Sequence, residues 1–284
     1  MVAKLLGLEE NNVLGMTVLV DDPIKASRGG WVFDKPPPQA RQIKDLRELY
    51  EYLSPNFKGR CTAPVLVDWK SKQIVSNESS DIVRMLPLLS QANTAKSTSA
   101  LDLYPADLAS KIDETNEWVY RLLNNGVYRC GFSTSQQAYK NACRDVLVGL
   151  NRVEDILHTQ PFLCGANITE SDIMLLPVSS FDLKDLIFRC QKSDEKIFLC
   201  MQKTMLRFDG VYSPLFGAGG KHLRLECDYP STFQWLKRCW QMDGVVESID
   251  IADACSSYYR QLFPLNPGGI LPSPPTASSL RLED

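Results

Sequence analysis

Cys61, Pro64 and the run Asn77-Glu78-Ser79-Ser80 all fall in one short segment, CTAPVLVDWKSKQIVSNESSDIVRML, residues 61–86. Pro64 stands directly before the apolar run Val65-Leu66-Val67. A cis bond at such a strand start turns the preceding carbonyl and the following amide toward a loop. That backbone edge can pair with an extended peptide by strand addition. The same residues also read as an ordinary trans proline opening an edge strand. Farther along, Ser79 or Ser80 can cap a helix that starts at the next apolar periodic run. A helix start offers free amides and the positive end of the dipole, so it can bind a carboxylate. Glu78 beside it can bind an ammonium. Carboxylate and ammonium together describe the end group of an amino acid, although plain helix capping accounts for the same four residues.

Cysteine chemistry is the next possibility. The nine cysteines are odd in number and irregular in spacing, no C-x-x-C occurs, and the two histidines, His158 and His222, are far apart. This pattern argues against zinc, iron–sulfur and disulfide-framework readings and predicts reduced cysteines packed as small apolar residues. A net charge of −3 gives no basic face for nucleic acid or an anionic membrane. No apolar run approaches the roughly 20 residues of a membrane helix, and MVAKLLGLEENNV is too short and acidic for a leader. The reading is a cytoplasmic protein with no metal, no nucleic-acid partner and no membrane partner.

The elements that must position these groups follow from periodicity. NVLGMTVLV, residues 12–20, reads as a strand, and residues 21–40 as a loop broken by Pro and Gly. ARQIKDLRELYEYL, residues 40–53, has helical spacing. APVLVD and KQIVS form a hairpin across WKSK, and NESSDIVRMLPLL opens a helix. Beyond about residue 105 long helical patterns dominate, first DLASKIDETNEWVYRLLNNGVYRCG and then STSQQAYKNACRDVLVGLNRVEDILHTQP. The fold class is therefore α+β. Residues 1–90 form one domain, 91–104 a Ser/Thr/Ala-rich linker, 105–263 an all-helical domain and 264–284 an irregular Pro/Gly-rich tail. In NITESDIMLL, Thr169 and Asp172 read as a capping box, with Ile168 and Ile173 as its hydrophobic staple.

The order of a Pro-led strand, a hairpin and a Glu-Ser helix start matches the second half of a thioredoxin-like glutathione domain. Taken with GGWVF, SPNFKGRCTAPVLVD, IVSNESSDIVRM, NNGVYRCGF, MLRFDGVY and YYRQLFPLNPGGILP, the chain resembles the glutathionyl-hydroquinone reductases, the Xi class of glutathione transferases. NNGVYRCGF and NPGGILP are specific to that class. The resemblance implies a thioredoxin-like N-terminal domain and a helical C-terminal domain, with glutathione as co-substrate. It implies reduction of glutathionyl-hydroquinones to hydroquinones, small-molecule quinone or hydroquinone conjugates as partners, and a homodimer. By the same resemblance Trp31 contacts glutathione and Ala63, before a cis Pro64, pairs its backbone with the cysteinyl part. Glu78 and Ser79 hold the γ-glutamyl end. Tyr128 and Tyr258 line the aromatic substrate site, with Tyr259 as an alternate to Tyr258. Helix packing is the competing reading for Tyr128 and Tyr258.

The chain departs from the class in two places. The class carries a Cys-Pro-Trp-Ala motif at the start of its first helix, and no Cys-Pro occurs here. The expectation is that the first strand and the Cys motif lie upstream of Met1, so that this chain lacks a catalytic nucleophile. Cys61 and Cys130 are read as packing residues rather than replacements. Residues 178–203 interrupt the class pattern as an insertion, either a surface excursion or a coding artefact that breaks a helix. The alternatives to an enzyme are a non-catalytic glutathione-fold binding protein and a truncated, inactive product.

Overall fold

The computed structural model describes residues 1–8, 14–17, 19–21, 31–33, 35–36, 38–92, 101–176, 205–248, 259, 266–270, 278 and 281–282. The insertion at 178–203, most of the tail, Tyr258 and the side chain of Trp31 lie outside the described residues. The chain divides into two compact units. Residues 6–92 belong to one, and residues 1–5, 101–176 and 205–248 to the other.

In the first unit, β1 (Leu19–Asp21) pairs antiparallel with β2 (Trp31–Phe33), setting Leu19 against Phe33 and Val20 against Val32. This corrects the sequence expectation in two ways. Residues 14–17 are not strand, and the stretch taken as loop contains β2. Trp-Val-Phe is an aromatic and β-branched triplet, and a cross-strand partner outweighs the surrounding Gly and Pro signals. Helix α2 (Leu46–Leu53) starts six residues later than its periodicity predicts. Asp45 takes the cap, its Oδ1 accepting from the Glu48 amide at 2.8 Å, and so fixes the start. Leu46, Leu49, Tyr50 and Leu53 face a core with Leu19, Ala40 and Ile43. The hairpin of β3 (Leu66–Asp68) and β4 (Gln73–Ser76) turns through residues 69–72, where Lys72 has φ of 53°. Helix α3 (Ser79–Ala92) follows at once.

In the second unit, α1 (Val2–Leu5) is a single turn at the N-terminus. The long pattern at 107–131 resolves into α4 (Ala109–Val119), a π turn (Tyr120–Asn124) and α5 (Asn125–Gly131). Helix α6 (Gln136–Thr159) is capped by Ser135, whose Oγ accepts from the Ala138 amide at 3.2 Å. Its buried positions, Cys143, Val146, Leu150, Val153 and Leu157, recur at three- and four-residue steps. Gly149 lies on that face, and a Cβ there would sit 2.7 Å from Leu123 Cγ, so the close approach of α6 to the π turn requires glycine. The remaining elements are α7 (Glu170–Leu175), α8 (Met205–Arg207), a second π turn (Phe208–Tyr212), α9 (Ser213–Phe216), α10 (Leu225–Asp228) and α11 (Pro230–Trp240).

Two carboxylates hold these helices. Asp172 is fully enclosed. Its Oδ1 accepts from the Leu163 amide and from Trp235 Nε1, both at 2.9 Å. Its Oδ2 accepts from the Thr169 amide at 2.9 Å and Thr169 Oγ1 at 3.0 Å, completing the capping box. Burial pushes this carboxyl above the usual aspartate range, against the pull of the four hydrogen bonds. Glu154, on α6, caps α11 from outside. It accepts from the Ser231 amide at 2.7 Å, the Thr232 amide at 2.8 Å and Thr232 Oγ1 at 2.7 Å. Burial works against the charge there, but these bonds prevail and hold the Glu154 carboxyl below the usual glutamate range.

Asp172→Ala leaves four donors in a dry interior without their acceptor. It should destabilise the protein by about 3 kcal/mol or more, measured by urea denaturation. Glu154→Gln should cost about 1–2 kcal/mol at pH 7. Because the folded pKa of Glu154 is depressed, its contribution is present above the unfolded glutamate value and is lost as pH falls through the lower folded one. The stability gap between wild type and Glu154→Gln should therefore close on acidification below about pH 4.3, the unperturbed glutamate value.

Candidate functional site

In the first unit the candidate residues gather around one proline. The Ala63–Pro64 bond is cis. The backbone leading into it is held from two sides. Tyr50 donates its hydroxyl to the Thr62 carbonyl at 2.7 Å, and Asn77 Nδ2 donates to Thr62 Oγ1 at 3.0 Å. Burial raises the Tyr50 pKa, which keeps the phenol a donor at neutral pH. The Asn77 bond joins the loop before Pro64 to the turn before α3, so Ala63 and the Glu78-Ser79 pair are brought together. No hydrogen bond among the described residues uses the Ala63 backbone.

The start of α3 differs from the capping expectation. Glu78 occupies the cap position, its carbonyl accepting from the Ile82 amide at 3.0 Å. Ser76 Oγ accepts from the Glu78 amide at 3.0 Å, two residues before the cap, and neither Ser79 nor Ser80 stands at the cap position. Ser79 is the first helical residue and is buried, and its Oγ has no hydrogen-bond partner among the described residues. A buried hydroxyl without a partner is costly, and one at a helix N-terminus stands among free amides. Glu78 is exposed. A helix start with a waiting hydroxyl and a flanking carboxylate can take a carboxylate and an ammonium together.

The second unit holds an aromatic cluster. Tyr128 on α5 and Tyr212, at the end of the second π turn, place their hydroxyls 3.1 Å apart. Their rings meet edge-on at 5.8 Å, and Phe216 packs 6.2 Å from Tyr128 and 5.5 Å from Tyr212. Phe132 lies 6.5 Å from Tyr128 and 5.7 Å from Phe216. Gly131 makes this possible, because a Cβ there would fall 2.6 Å from Phe216 Cγ. Tyr259 donates its hydroxyl to the Gly210 carbonyl at 3.1 Å, a contact that ties it to the π turn. Tyr212 was not singled out in the sequence, and only its place in MLRFDGVY could have pointed to it.

The described thiols are free, and several are deeply buried. Cys61 packs against the core behind α2. Cys130 Sγ lies 3.8 Å from Cys143 Sγ, and burial followed by the neighbouring thiol pushes Cys130 up to about 12. Burial also raises Cys239. Among the described residues no group of three or more His, Cys, Asp and Glu side chains could hold a metal, and no helix is long and apolar enough to cross a membrane.

No model of a protein family matches the chain. Individual relatives do. The chain is 37% identical over 273 residues to the glutathionyl-hydroquinone reductase YqjG of Escherichia coli (strain K12), covering 94% of this chain and 72% of the relative. The glutathione-bound structure of YqjG aligns with a TM-score of 0.73 at 34% identity, over 97% of this chain and 79% of that one. The glutathionyl-hydroquinone reductase PcpF of Sphingobium chlorophenolicum is 33% identical over 253 residues, 87% of this chain and 70% of the relative. Glutathione transferase Xi 1 from Trametes versicolor aligns with a TM-score of 0.71 at 31% identity, covering 96% and 85% of the two chains. The fold is accordingly a thioredoxin-like N-terminal part followed by a helical glutathione-transferase part.

Because Ser79 Oγ is buried without a partner, Ser79→Ala should not lower the melting temperature and should raise it slightly. Calorimetric scanning of the two proteins measures this. A loss of several degrees would show that the hydroxyl is satisfied in the folded chain.

Proposed function

Because this chain belongs to the glutathionyl-hydroquinone reductase family, the Xi class of glutathione transferases, we propose that it binds glutathione and works in the reduction of glutathionyl-hydroquinones to hydroquinones. The observation that carries the reading is the unpartnered, buried Ser79 Oγ at the head of α3, joined through Asn77 and Thr62 to the cis Ala63–Pro64 edge. In this proposal Ala63 pairs its backbone with the cysteinyl part of glutathione. Ser79 and the helix amides take the γ-glutamyl carboxylate, Glu78 takes the ammonium, and Trp31 adds a further contact. Tyr128 and Tyr258 receive the ring of the quinol conjugate, where a phenol hydroxyl can hydrogen-bond a quinol oxygen. Tyr259 has a structural bond to Gly210, which favours Tyr258 over it for that role.

The reaction needs a thiolate. It attacks the glutathionyl sulfur to form a mixed disulfide, the bond from that sulfur to the ring carbon breaks with its electron pair going to the carbon, and this carbon takes a proton from solvent as the hydroquinone leaves. The resulting mixed disulfide is reduced by a second glutathione, giving glutathione disulfide. Three of the described cysteines are poorly suited to start this. Cys130 and Cys239 are held protonated by burial and Cys61 packs on the core. That observation favours the second reading, a glutathione-binding protein without turnover of its own. Free thiols support a reducing cytoplasm, and a homodimer is part of the proposal on the strength of the class.

Titration calorimetry with glutathione tests the binding step. Glu78→Ala removes a charge-assisted contact and should cost about 1.5–3 kcal/mol. Equal affinity in wild type and variant would refute the assignment. A glutathionyl-hydroquinone reduction assay on the same 284-residue chain separates the two readings. Binding with almost no turnover supports the second. Strong turnover that is lost in Cys61→Ser would establish the first and name the nucleophile.

A further inference from the structure

We propose that Cys130 and Cys143 form a dithiol–disulfide couple, with Cys143 as the attacking sulfur and a low-molecular-weight disulfide such as glutathione disulfide as the oxidant. The couple lies in the helical unit and does not depend on glutathione binding at Glu78 and Ser79.

The two sulfurs come from neighbouring helices, Cys130 near the end of α5 and Cys143 on α6. They lie 3.8 Å apart, in contact, and both are free thiols. Closing to a bond of about 2.0 Å asks each sulfur to move about 0.9 Å, within the sweep of a Cα–Cβ rotation. Cys143 also has polar neighbours that a packing sulfur does not need. Its Sγ lies 3.6 Å from the Gly217 carbonyl. That carbonyl accepts from the hydroxyl of Tyr139, one turn earlier on α6, at 2.8 Å. Burial and then the hydrogen bond to Cys143 push the Tyr139 phenol up to about 12, so it stays a donor beside the sulfur. Cys130 keeps its proton for the same two kinds of reason, burial and the neighbouring thiol, so the attacking role falls to Cys143.

The chemistry is thiol–disulfide exchange. Cys143 gives up its proton and its sulfur attacks one sulfur of the small disulfide. That S–S bond breaks, and one small thiolate leaves and takes up a proton. Cys130 then loses its proton and attacks Cys143 Sγ, and the second small thiolate leaves and is protonated in turn. Two protein thiols are oxidised to one disulfide, and one small disulfide is reduced to two thiols. Both cysteines are buried, with 3% and 6% of their surface exposed. The cover over Cys143 is thin, however. It includes Gly220, which is exposed, and even a Cβ added there would stand 3.7 Å from the sulfur.

The test treats the folded 284-residue chain with hydroxyethyl disulfide and, separately, with glutathione disulfide. Remaining thiols are blocked with N-ethylmaleimide in urea, and tryptic peptides are mapped by mass spectrometry without reduction. Peptides 130–140 and 141–144 should appear joined, and the two cysteines should vanish together from the alkylated pool. Dithiothreitol should restore both. Cys130→Ser should stop at a mixed disulfide on Cys143, and Cys143→Ser should leave Cys130 alkylated. Both cysteines alkylated in the wild type while the exposed Cys227 has exchanged would overturn the inference. So would a joined peptide that forms only when urea precedes the oxidant. A mixed disulfide on Cys130 in Cys143→Ser, formed as fast as the one on Cys143 in Cys130→Ser, would overturn the assignment of the attacking sulfur. Hydroxyethyl disulfide needs no glutathione site, so this result stands or falls apart from the binding measured with Glu78→Ala.

Discussion

A carboxylate fully removed from water persists only when donors surround it, and the helical unit is organised around one such group. Asp172 gathers the Leu163 and Thr169 amides, the Thr169 hydroxyl and the Trp235 indole. Those partners lie on three separate stretches of chain, so the carboxylate fixes the entry to α7, the loop after α6 and the flank of α11 at once. Glu154 repeats the device at lower burial by supplying α11 with the cap its own Tyr229 does not provide. The two ends of α6's neighbourhood are thereby set by charge-assisted bonds, and the apolar face of α6 can pack against a frame already in register.

The same accounting separates structure from function. Buried polar groups in folded chains are nearly always paired. Asp172 is saturated with donors and has no capacity left for a ligand. Ser79 Oγ is buried with no partner among the described residues, at a helix start, where the first amides have no acceptor within the helix. Its cost to the isolated chain is the kind that a bound carboxylate returns. Thr62 shows the intermediate case, with carbonyl and hydroxyl both engaged, by Tyr50 and Asn77, so that the residue after it is presented rather than merely exposed.

Legibility in the sequence followed the range of the interaction. The Thr169–Asp172 box was readable because its partners are three residues apart, and the hairpin at residues 66–76 because its alternation and turn are local. Trp235 as a partner of Asp172, and Glu154 as the cap of α11, were not readable, since each closes a gap of more than 60 residues that no periodicity records. The strand at Trp31 was hidden by Gly and Pro on either side, signals of local conformation that cross-strand pairing overrode. Helix α2 was read too long because an apolar Ile43 fits the helical spacing, although Asp45 sets the start. Glu78 and Ser79 were singled out from residue order and resemblance. What its serine does, standing inside the helix rather than capping it, needed coordinates.

The tyrosine pair shows why helical periodicity fails across a π turn. A π turn adds a residue to one turn of helix and so rotates every later side chain relative to the earlier ones. After Tyr120–Asn124 the phase that puts Trp118 and Val119 in the core no longer predicts where Tyr128 points. The turn Phe208–Tyr212 does the same for Tyr212. Read at 3.6 residues per turn, both phenols pass for ordinary packing residues, and burial alone would confirm it. What distinguishes them is the hydroxyl-to-hydroxyl contact. An apolar site built for packing has no need of two facing phenols, since phenylalanine fills the same space without a polar atom to satisfy. In a cluster otherwise closed by Phe132 and Phe216, each hydroxyl gives the other a polar partner.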